Sequence, residues 1–153
     1  MKLLLAFIIL SFIGFNCGPG GAGLFMVKMR HYAGGAGLTV YYSVNNYRVE
    51  VRTNCDLTNC SEKIVYKRAL SREELDMFRQ RCRGLNIYGL KEFYEDSNVM
   101  DGLNSVISIY DSNVGSKTIR INNYEVPLAD SLYKYVDDLI WEKKYKFFHF
   151  GEE

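Results

Sequence analysis

The chain of 153 residues is long enough for one compact domain and too short for two comfortable ones. Hydrophobic residues make up 48% of it, which supplies a core and excludes a disordered chain, and twelve Tyr against two Pro favour strand-rich order. Nineteen Lys and Arg face eighteen Asp and Glu, a balance that argues against a nucleic-acid partner.

The first element is apolar. Lys2 supplies one charge, and Leu3 to Phe15 then run almost unbroken, with Ser11 and Gly14 as the exceptions. Such a helix rises about 20 Å, short of the ~30 Å hydrocarbon core that a span must cross. Gly18-Pro19-Gly20-Gly21 follows and stops it. A basic start, a short apolar centre and small residues beyond describe a secretory signal peptide over 1–16. Its removal takes Lys2 and leaves 18 charges of each sign.

Cys17 stands directly after this segment, at the membrane surface, where a thiol is the nucleophile that can accept a lipid. Met1 to Cys17 resembles the signal peptide of bacterial lipoproteins, cut before a cysteine by signal peptidase II. The family pattern has Leu and two small residues before that cysteine; here they read Gly14-Phe15-Asn16. The resemblance implies a diacylglyceryl thioether on Cys17, palmitate-type acylation, and a place in the cell envelope, at the outer membrane or facing the periplasm. Cleavage after Gly20-Gly21-Ala22 is the alternative and gives a secreted chain.

Gly18 to Gly23 reads as a flexible spacer, Leu24 to Tyr32 as a weakly fixed first strand of mixed apolar and basic residues, and Ala33-Gly34-Gly35-Ala36-Gly37 as a second hinge. Together 17–37 form the expected tether, with one α+β domain over 38–150. No Gly-Lys-Ser/Thr follows these glycines, so they are no phosphate loop.

Leu38, Val40, Tyr42 and Val44 alternate with Thr39, Tyr41 and Ser43, the period of a half-buried strand. Asn45-Asn46 suits a tight turn. Tyr47, Val49 and Val51 then alternate with Arg48, Glu50 and Arg52, completing a hairpin with one apolar and one charged face. A third strand is expected near Ile64 to Arg68. Ser71-Arg72-Glu73-Glu74 is a capping box, and Leu75, Phe78, Cys82 and Leu85 form the apolar stripe of the helix it opens, with Gly84 as a stop. From Asn86 to Gly102 the chain reads as a long connection, contributing Tyr88 and Phe93 to the core. A second hairpin sets Ile107 and Ile109 against Ile119 and Ile121, turning at Asp111 to Ser116. Pro127 starts the last helix, with Leu128, Leu132, Tyr135, Val136, Leu139 and Ile140 inward.

The expected fold is therefore a two-layer α+β domain, an antiparallel sheet of β-hairpins packed against two helices in the order β-β-β-α-β-β-α. Leu85 to Glu92, followed by Asp101-Gly102 and a hairpin, is similar to small bacterial envelope domains of unknown function. That likeness implies the fold and no chemistry.

Cys55 and Cys60 flank a short loop and are the favoured disulfide in an oxidising compartment; Cys60 to Cys82 is the alternative. No cofactor or metal is expected, because His31 and His149 lie in unconnected terminal segments. Counted from Asp96, the calcium-loop register fails at Met100 and Asp101, so a plain turn is expected. The chain has no Gly-x-Ser-x-Gly and no His-Glu-x-x-His. In Lys143 to Phe150 the aromatics are expected to fold back onto the domain, with membrane contact as the rival reading. The expected role is non-enzymatic binding or scaffolding, with an envelope protein or ligand as partner. Its contact surface is Tyr41, Arg48, Glu50 and Arg52. A small-molecule or peptide binder, with a pocket near Tyr88, Phe93 and Trp141, is the alternative; a hydrolase built from scattered residues is a third reading.

Overall fold

A computed structural model describes residues 23–33, 37–55, 61–98 and 103–150. Its strands are β1 (Phe25–Ala33), β2 (Leu38–Asn45), β3 (Arg48–Cys55), β4 (Lys63–Ala69), β5 (Phe93–Glu95), β6 (Leu103–Asp111) and β7 (Gly115–Asn122). Helix α1 (Arg72–Gly84) lies between β4 and β5, and α2 (Pro127–Asp138) follows β7. All seven strands form one sheet in the order β4-β3-β2-β1-β6-β7-β5, antiparallel except for β5 against β7.

The α+β class and the packing of helices on an antiparallel sheet hold, but the sheet is larger than two hairpins and the element order differs. The expected order lacked β1 and β5. β1 is the central strand, paired with β2 on one side and β6 on the other. Residues 25–33, expected within a glycine-rich tether over 17–37, are strand instead, and 17–22 lie outside the described residues. The expected hinge at 33–37 instead joins two strands that pair up to Ala33 and Leu38. Alternation explains β1: Phe25, Val27 and Met29 are buried while Lys28 and Arg30 are exposed.

Local chemistry fixes the other elements as the sequence predicts. The Asn45 side chain accepts from the amides of Tyr47 and Arg48 and closes the β2–β3 turn. Both arms of the Ser71/Glu74 capping box are made, at 3.1 and 2.8 Å. Pro127 occupies the first turn of α2. Gly115, at φ +117°, lets the chain turn back into β7 where a side chain would be strained.

Both helices cover the same face. Phe25 meets Phe78 of α1 edge-on at 5.9 Å, and Val27, Met29, Tyr42, Val49, Val51, Ile107 and Ile119 join Leu132 and Val136 of α2 in one core. Arg79, buried on α1, donates to the carbonyl of Gly23 and to Asn46 Oδ1, tying the helix to the start of β1 and to the first turn. On α2 the inward stripe is rotated from the expected one: Ala129, Tyr133 and Asp137 are buried, whereas Leu128 and Tyr135 are half-buried. The C-terminal segment covers that flank. Phe147 stacks on Tyr133 at 3.7 Å, and Asp137 accepts the amides of Phe147 at 2.6 Å and Phe148 at 3.3 Å.

Candidate functional site

Among the described residues nothing packs on the second face of the sheet. It forms an open trough of about 1060 Å³, at the upper end of ligand-pocket sizes. Strand pairing arranges its side chains in cross-strand rows. The central row runs Arg120, Val106, Arg30, Tyr41, Arg52, one residue from each of β7, β6, β1, β2 and β3. One row away lie Thr118, Ser108, Lys28, Ser43 and Glu50; on the other side lie Asn122, Asn104, Tyr32, Thr39 and Asn54. Arginines thus occupy the middle row, flanked by hydroxyls and amides and, on one side, by Lys28 and Glu50.

The expected contact residues all stand on this face. Glu50 is the buried member, only 2% of its side chain exposed, and it is held between two arginines. Arg48 Nε lies 3.1 Å from Glu50 Oε2, and Arg52 Nε donates to Glu50 Oε1. Arg52 Nη1 reaches Glu62 at 2.6 Å. These bonds, Glu62 first and Glu50 second, raise the Arg52 guanidinium above its ordinary value. The Arg48–Glu50–Arg52–Glu62 group is therefore internally neutralised, and Tyr41, half-buried, sits beside it.

What sequence reasoning missed is the unneutralised charge. Lys28, Arg30 and Arg120 are exposed on the same face, and none has an ion-pair partner among the described residues. Lys28 and Arg30 are two residues apart on β1, about 6.7 Å, and Arg30 and Arg120 are two strands apart, roughly 9.6 Å. At those separations each pair repels by about half a kcal/mol in water, a cost that a bound anion removes. The signal was present in Lys28-Met29-Arg30 and in Lys117-Thr118-Ile119-Arg120-Ile121, which alternate like strands. No family model matches the chain, and no curated protein is significantly similar to it.

A second group of polar residues lies under the C-terminal segment, on the helix side. His31 Nδ1 is 2.9 Å from Ser105 Oγ, and the Phe147 ring meets the imidazole edge-on at 4.8 Å. Burial lowers the His31 pKa and pushes the Tyr133 hydroxyl up to about 12. Burial first, then the Asp137 charge, raises Tyr42. Burial also raises the Asp137 carboxyl, while the amides of Phe147 and Phe148 pull it back. Ser105 is itself buried, so this pair faces packed side chains. A hydroxyl bonded to a neutral imidazole satisfies both groups inside the core.

The alternative pocket is not assembled. Phe93 is 50% exposed on β5, at one edge of the sheet, and Trp141 is 73% exposed. Trp141 lies under Arg68 of β4, the opposite edge strand, with the guanidinium carbon 4.3 Å from its ring centre. Tyr88 is half-buried elsewhere, its hydroxyl 3.5 Å from the Gly115 carbonyl.

Cys82 is a free, buried thiol, pushed up to about 12 by burial. The alternative Cys60–Cys82 bond is therefore not formed. Cys17 and Cys60 lie outside the described residues. Among the described residues no three His, Cys, Asp or Glu gather as metal ligands, and no helix is long and apolar enough to cross a membrane. The Asp96 carboxylate accepts from the Asn98 amide and side chain, a local turn, while Asp101 lies outside the described residues.

Proposed function

We propose that the chain is an exported lipoprotein, held to the cell envelope by a lipid on Cys17, whose domain binds a partner through the open face of its sheet. The contact-surface reading rests on one observation: the sheet face opposite the helices carries three cations, Lys28, Arg30 and Arg120, with no ion-pair partner among the described residues. Uncompensated charge on a broad surface costs folding energy and is explained by a ligand that neutralises it. The described carboxylates of the trough, Glu50 and Glu62, are both engaged by Arg52, so the face offers recognition groups rather than a poised acid or base. The role is accordingly one of binding or scaffolding rather than catalysis.

Cys17 stands eight positions before Phe25, the first residue of β1, and eight residue steps span at most about 28 Å. That reach lets the domain stand off a bilayer and present its trough sideways to envelope components. With Cys82 free, Cys55 and Cys60 are left as the pair to be oxidised there.

The test combines two measurements. Cys17→Ala should abolish labelling by radioactive palmitate and shift the protein from the membrane to the soluble fraction; unchanged acylation ends the lipoprotein reading. A photo-crosslinking residue in place of Tyr41 should give specific adducts in the native envelope, and one in place of Arg72 on α1 should not. Equal adduct patterns at the two positions would remove the sheet face as the contact surface.

A further inference from the structure

Resting on the reading of the sheet face as the contact surface, we propose that the trough binds a linear acidic polysaccharide whose carboxylates sit on Arg30 and Arg120. The central row sets the charge spacing. Arg30 and Arg120 lie two strands apart, about 9.6 Å, with the uncharged Val106 between them. A ligand matched to that row carries its charge on alternate units. A nucleic acid carries one on every nucleotide, and its bases call for exposed aromatic platforms, whereas Tyr32 and Tyr41 are both half-buried. A guanidinium presents a planar fork that pairs with a carboxylate through two parallel N–H···O bonds.

The flanking rows set the rest of the chemistry. Asn104 and Asn122 on one side and Ser108 and Thr118 on the other can each both donate and accept. Ser108 Oγ and Thr118 Oγ1 lie 3.1 Å apart, a hydroxyl pair with capacity left for a further partner. Such groups suit a ligand that also offers both donors and acceptors along its length, as sugar hydroxyls do. A peptide is matched less well. The backbone groups of β1, β2 and β6 are already committed to strands on both sides, so an extended peptide lying across the middle of this face finds no ladder to join.

The experiment uses the full-length lipidated chain in detergent and, as probe, a fluorescent hexasaccharide of alternating glucuronic acid and N-acetylglucosamine, which carries a carboxylate on every second unit. Binding is expected to be saturable and to weaken with salt. Arg30→Gln and Arg120→Gln should each weaken it at least about fivefold, the loss of one solvent-facing charged contact, and more together. Arg30→Lys keeps the charge without the fork and should recover only part of the affinity. Arg72→Gln, on the opposite face, should change nothing. The proposal is overturned if the neutral N-acetylglucosamine hexamer binds as well, if hexaglutamate or a thymidine hexanucleotide binds as tightly, or if no binding is seen. Crosslinks from position 41 in the envelope alongside a failed hexamer assay would leave the contact surface standing and discard only the polysaccharide.

Discussion

Removing the Asp137 carboxylate should release the C-terminal segment. Asp137 sits near the end of α2, almost fully buried, and accepts one strong and one long hydrogen bond from Phe147 and Phe148. A bond to a charged acceptor contributes about 1.5–3 kcal/mol, and the longer one adds little. Relief from burying a charge offsets part of that, leaving about 1–2 kcal/mol for Asp137→Ala. Once the amides lose their acceptor, Phe147 slides off Tyr133; a half-buried ring covers about 100 Å², or roughly 2.5 kcal/mol. The sum, about 3.5–4.5 kcal/mol, lowers Tm by roughly 10–18 °C for a domain of this size. Its pH signature is distinctive. Because folding raises the Asp137 pKa, the folded state holds the proton more tightly, so this group's contribution falls as pH rises from the unfolded value through the folded one. Thermal unfolding followed by circular dichroism, with hydrogen exchange at the Phe147 and Phe148 amides, reads both effects. An Asp137→Ala protein with unchanged Tm and unchanged exchange at those amides would refute the reasoning.

Three further outcomes are expected. Ser71→Ala removes the cap of α1 and should cost about 1 kcal/mol in denaturant unfolding, with little change in m-value. Asp111 behaves oppositely to Asp137: burial raises its pKa, but the Asn113 amide and Arg83 outweigh it and hold the carboxyl low. Its contribution is present above the unfolded pKa and is lost as pH falls through the folded one, so Asp111→Asn should destabilise at pH 7 and flatten the acid limb of the stability curve. Non-reducing peptide mapping should recover Cys55 joined to Cys60, while Cys82 resists alkylation until the protein unfolds, as a buried thiol with a pKa near 12 must.

The elements that were legible in the sequence are those fixed by neighbours along the chain. The β2–β3 hairpin carries its own alternation and an Asn turn, α1 carries its capping box, and α2 opens on Pro127. β1 was harder because its inner face includes His31 and its outer face two cations, and glycines on both sides gave it the look of a linker. Its central place comes from pairing with β6, far along the chain. β5 is three residues long and exists only through its parallel register with β7, which no local pattern encodes. The rotation of α2 follows from Phe147, which rewards an inward Tyr133 and Asp137 over Tyr135. For the candidate site, the charged side of the hairpin was visible in Arg48, Glu50 and Arg52. The cations of the proposed site, Arg30 and Arg120, come from strands that only the sheet brings alongside.

The position of β1 also decides how the molecule bears load. Any pull arriving from the N-terminal side enters along this middle strand, which is bonded on both flanks to antiparallel neighbours. Tension along it stresses both sets of cross-strand bonds at once, in shear, instead of unzipping them singly as a tug on an edge strand would. Should the proposed lipid on Cys17 be present, strain on that mooring would be shared by both flanks of the domain instead of peeling it from one border.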